Sequence, residues 1–179
     1  MIVLEALNAA PLELFVGQLG AVFEHSPWVA ERAYARRPFA TVAALHAAMA
    51  SIVDEAGEER QLALLRAHPE LAGRAAIAGA MTTQSMAEQG GSGLLRCSPD
   101  EFARLQALNT AYGEKFGFPF IVAVRGLDLA AILSAFERRL GHDPATERTE
   151  ALRQVGRIAE LRLADLVSAG SNVASGSRL

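Results

Sequence analysis

The sequence predicts an all-α protein: a single compact multi-helix domain with one short extended segment near residues 120–124. Three observations carry that expectation. Apolar residues recur at helical spacing through most of the chain. Cap residues and glycines mark helix starts and stops. Only one run favours β structure, so no sheet has the strands it would need.

Taken in order, Phe15, Leu19, Val22 and Phe23 fall at i, i+4, i+7 and i+8 and predict an amphipathic helix. TVAALHAAMASIVDEA (41–56) and EERQLALLRAH (58–68) predict two more, divided at Gly57. In the stretch LLRAHPELAG the helical run meets His68-Pro69. Proline disfavours helical backbone in the residue before it, so His68 is expected at a helix end, outside the regular ladder.

SPDEFARLQALNTAYGEKFG (98–117) predicts a long helix with Ser98 as N-cap, Pro99 at the first helical position and Glu101 closing a capping box. Lys115 in its last turn and Gly117 beyond it mark the stop. The odd segment follows: GFPFIVAVRG contains a β-favouring run, Phe120–Val124, with no partner strand. Its backbone groups must still be satisfied if buried, by loops and helix ends or by a ligand. DLAAILSAFERRLG (128–141) and ATERTEALRQVGRIAELRLADLVSAG (145–170) predict the last two long helices. Residues 1–168 are read as the domain, and 169–179, small and polar, as a disordered tail.

Composition narrows the function classes. Of 179 residues, 51% are hydrophobic and 21% charged, which fits a globular chain with a real core. A net charge of −3 and the lack of a Lys/Arg cluster argue against nucleic-acid binding. No apolar run approaches the ~20 residues of a membrane span, and no signal-peptide pattern opens the chain. A cytoplasmic location is expected, with the final Ser-Arg-Leu as a weak peroxisomal alternative. Cys97 is alone, so no internal disulfide can form. Zinc spacings, dinucleotide fingerprints and phosphate loops are missing, and no cofactor is expected.

Two sets of residues remain as candidate chemistry. In TTQSMAEQ, Ser85, Glu88 and Gln89 share one face if helical and offer a hydroxyl, a carboxylate and an amide. Ser85-x-x-Glu88 is equally a capping box. His68 can act in proton transfer, or it can simply complement a helix C-terminus in its positive form. Arg162 can supply a cation to a substrate or to Glu88, or lie on a helix surface.

Taken together, these pieces resemble one family. HSPWVAERA and RPF, then AHPELAGRAA, SMAEQGGSGL, EFARLQALNTAYGEKFGFPFIVAVRG and RIAELRLADL follow one another in order and spacing from about Leu14 to Val167. In this they resemble the 2-oxo-4-hydroxy-4-carboxy-5-ureidoimidazoline (OHCU) decarboxylases of urate degradation. The resemblance implies an all-helical homodimer that decarboxylates OHCU, a small-molecule substrate, to (S)-allantoin without a cofactor. It implies that His68 is the catalytic proton donor. It further implies that Pro69, Ser85, Met86, Ala87, Glu88, Gln89, Phe120, Ile121, Val122, Ala123 and Val124 bind substrate. Met86 and Ala87 fill positions that are often polar in the family, which leaves the contacts there open.

Overall fold

The structure, a computed structural model, describes residues 1–71 and 98–169. The predicted site residues Ser85, Met86, Ala87, Glu88 and Gln89, and the predicted tail from Gly170 onward, lie outside those residues. Among the described residues the chain runs β1 (Ile2–Val3), α1 (Leu4–Ala9), α2 (Leu12–Leu19), α3 (Trp28–Tyr34), α4 (Val42–Asp54) and α5 (Glu58–Arg66). It continues through α6 (Pro99–Phe116), α7 (Leu129–Leu140), α8 (Pro144–Leu166) and β2 (Val167–Ser168). The helical fold expected from the sequence is the one observed.

Local chemistry explains most boundaries. Thr41 caps α4 by accepting the Ala44 N–H on Oγ1 at 3.0 Å, and Asp128 caps α7 through the Ala131 N–H at 2.8 Å. Asp143 accepts from Ala145 and Thr146 at the start of α8. The capping box opening α6 is formed in full: Ser98 Oγ accepts the Glu101 N–H at 3.3 Å, and Glu101 Oε2 accepts the Ser98 N–H at 2.9 Å. Gly57 (φ 79°) separates α4 from α5 and Gly117 (φ 73°) ends α6, both in conformations that a Cβ disfavours.

Two features depart from the sequence reading. The stripe Phe15–Leu19–Val22–Phe23 is not one helix: α2 stops at Leu19, yet Val22 and Phe23 stay buried in the turn that follows. Burial preserved the apolar pattern where the backbone left the helix. The ends of the domain also meet in a two-residue parallel ladder, Ile2 opposite Val167 and Val3 opposite Ser168, too short to leave a periodic signal.

The 23-residue α8 is the scaffold, about 34 Å long at 1.5 Å per residue. It packs on α4, α5 and α6, while α3 bridges α2 and α4 and α7 lies on α6. Its Ala151, Val155, Ala159 and Leu163 are buried with Leu45, Met49 and Ile52 of α4 and Leu64 and Leu65 of α5. A second part of the same core is aromatic. Tyr112 stands edge-on to Phe118, Phe120 and Phe136, and Phe120 stacks on Phe136 at 3.8 Å between centroids.

Candidate active site

α5 ends at Arg66, and the chain turns through Ala67 and His68 into Pro69, as the proline requires. The His68 N–H bonds back to the Leu65 carbonyl at 3.2 Å, and its ring Nδ1 lies 2.9 Å from the Leu64 carbonyl oxygen. A carbonyl can only accept, so Nδ1 carries the proton and Nε2 presents its lone pair. His68 is only 8% exposed. Burial pushes its pKa from 6.5 down to about 4, against the opposing influence of the Leu64 hydrogen bond and the Glu24 charge. At neutral pH the ring is therefore an uncharged imidazole. That disposes of the helix-dipole reading, which needs the positive form.

Two charges stand near this ring. Arg162, from α8, is buried and donates through Nη1 to Glu24 Oε2 at 2.9 Å, and to the Ala21 and Val22 carbonyls at 3.2 and 3.3 Å. It is not a helix-surface residue. Glu24 is itself 1% exposed and lies in the turn after α2. Its charge favours protonation of His68 and that of Arg162 opposes it, so the pair nearly balances and burial decides. Glu24 carried no signal in the sequence; a lone carboxylate beside Phe23 reads as a solvated turn residue.

The Phe120–Val124 segment is neither helix nor ladder strand. Phe120, Ile121, Val122 and Val124 are buried and Ala123 is half-buried. Side chains from behind hold part of its backbone. Arg139 Nη1 donates to the Ile121 carbonyl at 2.7 Å, and the Ala123 N–H donates to Gln154 Oε1 at 3.0 Å. Among the described residues, the N–H groups of Ile121, Val122 and Val124 meet no acceptor. Arg139 and Gln154 were missed by the sequence reading, because each looks like an ordinary polar residue on an amphipathic helix.

α6 ties the His68 turn to this segment. Arg66 Nε donates to the Gly117 carbonyl at 3.0 Å, at the end of α6, and Asn109 Nδ2 donates to the Leu71 carbonyl at 2.9 Å. The Oδ1 of Asn109 is buried without a partner among the described residues. Eight residues of helix separate Asn109 from Gly117, about 12 Å. Both predicted substrate-contacting stretches in the described residues thus flank one helix.

Other histidines do different work. His46 Nε2 lies 2.9 Å from the Gly156 carbonyl, and His142 Nδ1 lies 2.7 Å from Glu147. His25 is exposed. No group of three His, Cys, Asp or Glu side chains gathers as a metal set among the described residues. An open groove of about 640 Å³ between α4, α5 and α8 is lined by His46, Gln61, Arg148, Arg153 and Arg157, among others. Its arginines are paired with Glu58, Glu150 and Glu160, so it holds no uncompensated positive field.

Comparison with known proteins bears on what this arrangement serves. A family model described as OHCU decarboxylase matches residues 8–164. The chain is 46% identical over 165 residues to the 2-oxo-4-hydroxy-4-carboxy-5-ureidoimidazoline decarboxylase of Haloferax volcanii, covering 92% of this chain and 96% of that one. Among solved structures it is similar to (S)-allantoin synthase, with a TM-score of 0.75 and 31% identity over 94% of this chain. The match covers 54% of that protein, so this chain spans about half its length. It also shares the fold of an OHCU decarboxylase crystallised in the presence of (S)-allantoin, with a TM-score of 0.64 at 23% identity, covering 81% of this chain and 94% of that one.

Proposed function

The chain belongs to the OHCU decarboxylase family, and from that premise we propose that it decarboxylates OHCU to (S)-allantoin in urate degradation, with no cofactor. His68 is the proton-transfer group. Pro69, Ser85–Gln89 and Phe120–Val124 bind the substrate. The observation that carries this reading is the state of His68: buried, neutral, and locked with Nδ1–H on Leu64 so that Nε2 is the reactive atom.

The chemistry asks for that state. The bond between the carboxyl carbon and the ring breaks, CO₂ leaves, and the electron pair passes into the neighbouring C=N. The substrate is its own electron sink, so no external one is needed. The ring hydroxyl then loses its proton to become the product carbonyl, while the ureido-bearing carbon takes one up on a single face. A neutral imidazole with a free Nε2 can accept the first proton and, as imidazolium, return one to carbon. His68 thereby becomes a donor during turnover.

The other roles follow from charge. The amides of Ile121, Val122 and Val124 supply fixed donors for negative charge that develops as CO₂ leaves. Glu88 accepts from ureido or ring N–H groups, since an ionised carboxylate facing the substrate carboxylate would repel it. The family reading carries with it a homodimer, checked by light scattering. It also carries a cytoplasmic location, checked by a fluorescent fusion with and without Ser177-Arg178-Leu179, the competing peroxisomal address.

Freshly generated OHCU followed by circular dichroism is the deciding assay. Because OHCU decays unaided, the expected result is acceleration together with a single-handed allantoin signal. Decay at the spontaneous rate, or a racemic product, overturns the proposal.

A further inference from the structure

A buried ion pair behind the Phe120–Val124 segment has so far been given no role in the reaction. Arg139 is 1% exposed and Glu147 is fully buried. Glu147 Oε1 accepts from Arg139 Nε at 2.8 Å, from Arg139 Nη2 and from the Tyr112 hydroxyl, and Oε2 faces His142. Burial and the bond to Glu147 push the Tyr112 phenol up, so it stays protonated as a donor. The remaining arm of the guanidinium goes to the Ile121 carbonyl, and its carbon sits 4.5 Å from the Phe120 ring centre. An apolar pair of equal volume commonly matches a buried ion pair for stability. What it cannot supply is a donor aimed at Ile121.

The second anchor lies two residues along. The Ala123 N–H is held by Gln154 of α8, whose own amide nitrogen donates to Glu150 at 2.9 Å. A trans peptide is planar, with its C=O and N–H directed oppositely. Arg139 on the Ile121 carbonyl therefore turns the Val122 N–H away from α7. Gln154 on the Ala123 N–H turns the Val122 carbonyl away from α8. Val122 is buried, and neither its N–H nor its C=O has a partner among the described residues. One residue is left holding a donor and an acceptor in fixed directions.

We propose that Arg139, oriented by Glu147, and Gln154 are positioning residues that lock the two peptides around Val122, so that its N–H and C=O together grip the urea-type N–H and C=O of the substrate. This rests on the assignment of Phe120–Val124 to substrate binding. Neither side chain touches the reacting atoms. Their loss loosens binding of the substrate more than it slows the chemical step.

The test compares Gln154→Leu, Gln154→Glu and Arg139→Lys with the wild-type protein, reading KM and kcat for OHCU, the thermal midpoint, and the Val122 amide resonance on titration with (S)-allantoin. Gln154→Leu loses the acceptor and should raise KM about threefold to tenfold, as expected for one displaced hydrogen bond. Its kcat should change less. Gln154→Glu keeps an acceptor and should hold KM near wild type. Arg139→Lys keeps the charge opposite Glu147 but cannot fork to Ile121, and should raise KM likewise. If Arg139→Lys fails to fold, half-buried Gln154 carries the test alone. A Val122 resonance that ignores (S)-allantoin in the wild-type protein refutes the binding assignment, and this proposal with it. A resonance that shifts in the wild-type protein, beside a folded Gln154→Leu variant with unchanged KM, refutes the positioning role alone.

Discussion

Replacing His68 with asparagine should flatten the acid limb of the protein's stability. The folded-state pKa of about 4 lies below the ordinary 6.5, so between those values the unfolded chain binds the proton that the folded chain refuses. The contribution is fully present above pH 6.5 and is lost as pH falls toward 4. At about 1.4 kcal/mol per pH unit, acidification from 6.5 to 5 costs roughly 2 kcal/mol. For a domain of this size that is about 4–8 °C in thermal midpoint. Asparagine has no such titration, and every other group is shared by the two proteins. Midpoints of both, measured from pH 7.5 to 5 by calorimetry, should therefore converge by that amount as the pH drops. Parallel curves would refute the reasoning, as would a His68 ring resonance that titrates near 6.5. Either result would mean the imidazole is solvated and not held neutral by burial.

The same His68→Asn variant should lose about 10²–10⁴-fold in kcat while remaining folded at pH 7.5; a folded variant that loses less than about tenfold removes His68 from proton transfer. Glu88→Gln and Glu101→Gln separate function from capping when rates and midpoints are taken side by side. Glu101 closes the box with Ser98, so its variant should lose a little stability and keep near-normal turnover, whereas Glu88→Gln should keep stability and lose activity. Identical behaviour would make Glu88 just another cap. Glu24→Gln strips the counter-charge from buried Arg162 and should cost on the order of 3–5 kcal/mol, seen as a lower denaturation midpoint in urea. A midpoint within error of wild type would show that other partners satisfy Arg162.

What the sequence by itself determined is everything that hydrogen bonds within about four residues decide. The capping box at Ser98–Glu101, the stop at Gly117, the break at Gly57 and the exit of His68 from α5 are each set by near neighbours and backbone sterics, and each is found where the residues put it. The absence of a partner run for Phe120–Val124 likewise told that it joins no ladder, and among the described residues it joins none. Tertiary structure alone decided which polar groups are buried and with whom. Glu24 meets Arg162 across 138 positions, Arg139 reaches back to Ile121, and Gln154 takes the amide of Ala123. The reactive state of His68 belongs here too, because a pKa of about 4 reflects the removal of water by packed neighbours and not its place in the chain. A residue's neighbours along the chain are fixed by covalent bonds, but its dielectric surroundings exist only once helices distant in sequence have closed around it.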